Sequence, residues 1–85
     1  MIKPAYEFRK MLSRCKKNSS YIEAYNIGKS YKDMLENLSD SEINAEYIDQ
    51  LIGDARKNQV RYQESEPAYK LFQNFIAFLT ILKKA

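Results

Sequence analysis

The chain has 85 residues, a formal net charge of +3, one cysteine, and no histidine or tryptophan. A chain of this length hides only roughly 60 to 65 per cent of the surface it exposes when unfolded, which allows one economical core and disfavours a deep substrate cavity. A single cysteine excludes an internal disulfide and, without histidine, a structural zinc site, and +3 falls short of the concentrated charge of a dedicated nucleic-acid binder.

Two glycines and two prolines are the only strong punctuation, and no stretch alternates apolar and polar residues for long enough to make a strand. The fold class that follows is all-α, an antiparallel up-down four-helix bundle in one domain. The first helix is predicted over about residues 4–17: Pro4 suits a first turn, and Phe8, Met11, Leu12 and Cys15 fall on one face. Cys15 reads there as a small buried hydrophobe and not as a nucleophile. The opening MIKPAYEFRK lacks an apolar run, so a secretory signal is not expected.

The second helix is predicted over about 20–38, opened by a reciprocal capping box between Ser20 and Glu23. Ala24, Ile27, Gly28, Tyr31, Leu35 and Leu38 mark its apolar stripe, with Ile22, Tyr25 and Met34 widening it. Gly28 lowers helix propensity by up to about 1 kcal/mol relative to alanine. On the stripe its use would be to let another helix come close. SDSEIN should end this helix and start the third near Asn44, giving a helix over about 44–58 with Tyr47, Ile48, Leu51, Ile52 and Ala55 on its apolar side. Glu42, Glu46 and Asp49 complement the dipole at its start better than they suggest a metal site.

The polar run RKNQVRYQESEP leads to a fourth helix over about 65–83, capped by Ser65 or Gln63, with Pro67 in the first turn. Its apolar positions, from Leu71 to Leu82, cover more than one stripe. Most of them belong to the core of a bundle, where a helix meets several neighbours. Phe78 and Ile81 would form a patch for a partner if they point outward. A transmembrane span needs about 20 apolar residues, and the uninterrupted run here extends only from Phe75 to Leu82. The expectation is a cytoplasmic protein with at most peripheral membrane contact.

Nucleophile and general-base constellations cannot be assembled without histidine, and there is no phosphate-cradling glycine loop, so neither an enzyme nor a cofactor is expected. The seven tyrosines suit the core boundary. Tyr62 is the best candidate for a binding anchor, because it follows Arg56, Lys57 and Arg61 in the connection, and aromatic and arginine residues are enriched at binding hot spots.

The segment EYIDQLIGDARKNQVRYQESEPAYKLFQNFIAFLTIL resembles the immunity proteins against pediocin-like (class IIa) bacteriocins, the enterocin A immunity family. The resemblance rests on the amphipathic Ile48 to Ala55, Asn58 in the turn, the triplet VRY at 60 to 62, the polar Gln63 to Glu66, and the final helix from Ala68 to Leu82. The first half agrees in helix number, length and polarity. Such a resemblance implies a monomeric cytosolic bundle that protects the cell, acting at the cytoplasmic side of the mannose phosphotransferase permease once bacteriocin has engaged it. It also implies that specificity lies in the C-terminal half, here Arg56, Lys57, Arg61 and Tyr62, with Lys83 and Lys84 at the end. Many relatives carry a tail beyond the last helix, and no role of that tail transfers to a sequence ending at Ala85.

Two other classes compete. A nucleic-acid or regulatory module would use Arg9, Lys10, Arg14, Lys16 and Lys17 as one patch, although at these spacings they spread around the helix axis. A plain interaction bundle would pair through the fourth helix as a homodimer.

Overall fold

The computed structural model describes residues 3–15, 18–39 and 41–84. In chain order it holds α1 (Pro4–Ser13), a 3-10 turn (Ser19–Tyr21), α2 (Ile22–Glu36), α3 (Ala45–Arg61) and α4 (Glu66–Lys84). Together they form an all-α four-helix bundle, with no strand among the described residues. α3 and α4 run antiparallel, since Asp49 meets Lys83 at one end and Tyr62 meets Phe72 at the other, and Tyr31 of α2 reaches Asp54 of α3.

The helix ends follow local chemistry. Pro4 stands in the first turn of α1, which closes at Ser13, short of the expected end near 17: Arg14 is the C-cap and Cys15 lies in a bend, while residues 16 and 17 lie outside the described residues. Asn18 caps the 3-10 turn, its Oδ1 accepting from the Ser20 amide at 2.9 Å. That turn leads into α2, which starts at Ile22 with Tyr21 at the N-cap position and no side-chain cap bond to the first-turn amides. The capping box expected from Ser20 and Glu23 therefore does not open α2, and Glu23 instead faces the Tyr62 phenol across a shallow depression. Asn44 does open α3 as its spacing suggested, with Oδ1 accepting from the Tyr47 amide at 2.9 Å.

α3 runs to Arg61, past the expected end near 58. Beyond Ala55 the helix turns Arg56, Lys57, Val60 and Arg61 to solvent, so its last turns carry no apolar periodicity to read. The link to α4 shrinks to residues 62–65. Pro67 occupies the first turn of α4, where its missing amide costs no helix bond.

α4 is the helix around which the others gather. It packs most extensively on α3, less on α2 and least on α1, while α1 rests mainly on α2. Phe75 stands at its centre, fully buried, with ring centroids 5.7 Å from Phe8, 6.3 Å from Tyr31 and 5.9 Å from Phe72. Gly28 gives that ring its room: a Cβ added there would come within 2.8 Å of Phe75 Cε2. The glycine on the apolar stripe is thus a close-approach residue. Met34 was expected to widen the same stripe and is instead 44% exposed, because α2 is buried along the narrow line of Ala24, Gly28, Tyr31 and Leu35.

Candidate functional site

The residues singled out for partner binding separate into two groups at opposite ends of the α3–α4 hairpin. Arg56, Lys57 and Arg61 project from the outer face of the C-terminal half of α3, all exposed, and none is in an ion pair among the described residues. Arg61 lies on the helix and not in the connection, where its charge complements the dipole of the last turn. Lys83 and Lys84 lie beside the start of α3, since Lys83 Nζ is 2.8 Å from Asp49 Oδ1. Asp49 and Arg61 are twelve residues apart on one helix, or about 18 Å at 1.5 Å per residue. One small contact does not span both groups, and the Lys83 charge is already answered.

Tyr62 is the C-cap of α3 and is half-buried. Its ring stacks on Phe72 at 5.7 Å with 26° between planes, and Arg61 stands 6.0 Å from its centroid. The nearby Glu23 carboxylate, with burial adding to the effect, holds the phenol above its ordinary pKa. Tyr62 is therefore partly covered, its ring on Phe72 and its phenol facing Glu23 of α2, with Arg61 beside it.

Gly53 shares the basic face, one turn before Arg56 and Lys57. A Cβ there would meet nothing. Packing does not require this glycine, yet it leaves bare helix backbone in the middle of the exposed face. The signal available beforehand was a glycine inside an otherwise unbroken amphipathic helix.

Behind this face, α2 and α3 are tied by polar side chains. The Tyr31 hydroxyl donates to Asp54 Oδ2 at 2.5 Å, while Asn58 Nδ2 donates to the Tyr31 oxygen at 3.0 Å and to Asp54 Oδ2 at 3.1 Å. Burial, then the Asp54 carboxylate, push the Tyr31 phenol well above its ordinary 10.0, so it is a fixed donor at neutral pH. This set orients two helices. Among the described residues no three side chains able to hold a metal ion come together.

The basic residues of α1 divide. Arg9 pairs with Glu36 of α2 at 3.6 Å, and Arg9 and Lys10 lie 5.6 and 5.9 Å from the Tyr6 ring centroid. Arg14 stands at the opposite seam, against α4; Lys16 and Lys17 lie outside the described residues. At that seam two open depressions, about 520 and 330 Å³, share Arg14, Cys15 and Asn74 and so join into one groove between α1 and α4. Phe78 is half-buried there, edge-on to Phe8 at 6.1 Å, and Ile81 is 64% exposed. Of the two residues suspected of surplus apolar surface, Ile81 supplies most of it.

No helix among the described residues is long and apolar enough to cross a membrane. Comparison with family models, with curated proteins and with solved structures finds no match to this chain.

Proposed function

We propose that this chain is an immunity protein of the pediocin-like bacteriocin class, which protects its cell by docking at the cytoplasmic side of the bacteriocin-bound mannose phosphotransferase permease and blocking the pore. The reading is carried by the segment that resembles that family, Ile48 to Leu82, whose place in the bundle is the closed α3–α4 hairpin with an exposed basic end. Arg56, Lys57 and Arg61 make the contact, Tyr62 stands beside Arg61, and Gly53 lets the partner approach the helix backbone. Positive charge on this face also favours approach to an anionic inner leaflet.

The test is expression in a sensitive strain followed by challenge with several pediocin-like bacteriocins. Protection against at least one is the expected result, and unchanged killing by all of them defeats the reading. Two variants then place the contact. Arg61→Ala should abolish protection with helical content and Tm preserved. Gly53→Gln should also reduce it while raising Tm, since glutamine is the better helix former and fills open space.

A further inference from the structure

The groove between α1 and α4 is independent of the basic face of α3. Its α4 wall consists of Pro67, Lys70, Leu71, Asn74, Ala77, Phe78 and Ile81, a single stripe at helical spacing. From Pro67 to Ile81 that stripe is about 21 Å long, the length of a four-turn helix. The other wall adds Met11 of α1, with Arg14 and Cys15 just past its C-terminal end. Most of this lining is apolar and half-open, because α1 leans on α2 and touches α4 least.

The charges on the rim discriminate between occupants. Lys70 is held by Glu66 at 2.8 Å. Arg14 is exposed, lines both halves of the groove, and makes no ion pair among the described residues. Among the described lining residues Arg14 is the cation without an ion pair, and its place midway along a four-turn apolar trough matches an amphipathic helix with apolar residues at i, i+3 or i+4, i+7 and i+11, and a carboxylate near its middle. An acidic side chain there gains an attractive partner, and a basic one is repelled.

We propose that the α1–α4 groove is a second docking site, which takes an amphipathic helix of about four turns from a partner protein and selects it by an acidic residue opposite Arg14.

Cys15 makes the test direct, since the only thiol of the chain lies in both halves of the groove. The probe is a 14-residue leucine-based amphipathic peptide with glutamate at its centre, compared with the same peptide carrying lysine there. With the full chain, the glutamate peptide should bind at least fivefold more tightly than the lysine peptide and should slow maleimide labelling of Cys15 in a saturable way. Arg14→Glu should invert the preference, Ile81→Asp should weaken binding at least tenfold, and Lys29→Glu, on α2 and outside the groove, should change neither. Residues 14, 29 and 81 are all exposed, and unchanged helical content of each variant shows that the fold survives.

Equal binding of the two peptides, or unchanged Cys15 labelling at saturation, overturns the proposal. So does protection of Cys15 that rises with protein concentration alone, which means a second copy covers the groove, or equal protection by vesicles with 30 mol% phosphatidylglycerol, which means a lipid surface does. None of these outcomes bears on the bacteriocin challenge, so the two readings fail separately.

Discussion

The two flanks of α4 show how one wide apolar helix face can be spent in different ways. Toward α3 the packing is closed: Tyr62 stacks on the fully buried Phe72, and Lys83 ties to Asp49. Toward α1 it is open, with Phe78 half-covered and Ile81 largely in solvent. The same kind of side chain is structural on one flank and available on the other. What separates them is the distance to the next backbone, short across a four-residue turn and long where α1 leans on α2.

The largest effect that could break this contrast lies at Phe75, where the helices converge. Phe75→Ala should cost about 3 to 5 kcal/mol, the range for removing a fully buried aromatic ring, read as loss of the cooperative urea transition or a steep fall in its midpoint; a cost below 1 kcal/mol would mean that α4 is not the centre of the core. Next comes Gly28→Ala. Overpacking typically costs about 1 to 3 kcal/mol, and the added methyl meets the Phe75 ring, so Tm should fall although alanine is the better helix former.

Tyr31→Phe should cost about 1 kcal/mol or somewhat more, because it removes the hydroxyl between Asp54 and Asn58. The same group predicts a pH dependence. Its folded pKa lies above the ordinary 10.0, so the protonated phenol stabilises the fold fully below about pH 10 and the contribution is lost as pH rises further through the folded value. Thermal unfolding from pH 8 to 11.5 should show a smaller alkaline loss in Tyr31→Phe than in the parent. Smallest of all is Ile81→Ser, on the open flank, which should lie within about ±0.5 kcal/mol of the parent. Equal costs for Ile81→Ser and Leu79→Ser would erase the contrast between the flanks.

How much of this was legible in the sequence depended on whether a local signal had a competitor. Asn44 was readable because an asparagine ahead of a clean apolar stripe has one obvious use. Ser20 and Glu23 had the right spacing too, but Asn18, two residues earlier, takes the Ser20 amide and sets up a 3-10 turn in place of the first turn of the helix. Gly28 declared itself through the mismatch between a poor helix former and a buried stripe. The end of α3 did not, since its last turns show Arg56, Lys57, Val60 and Arg61 to solvent and make their inward contact through a polar residue, Asn58. The candidate site was half visible: the basic residues could be listed, yet their division between two ends of a hairpin depends on the antiparallel pairing of α3 with α4. The groove left only a trace, an excess of apolar positions on the last helix, because its other wall is supplied by a helix some sixty residues earlier.

The brevity of the turn at 62–65 also has a kinetic meaning. Closing so short a loop sacrifices little chain entropy, and the contacts it brings together are local, so the C-terminal hairpin is the cheapest nucleus available to this chain, with α1 joining late. Stopped-flow chevrons should then show Tyr62→Ala acting mainly on the refolding limb and Leu12→Ala mainly on the unfolding limb. A nascent chain would accordingly leave the ribosome with its first two helices still waiting for the scaffold on which they settle.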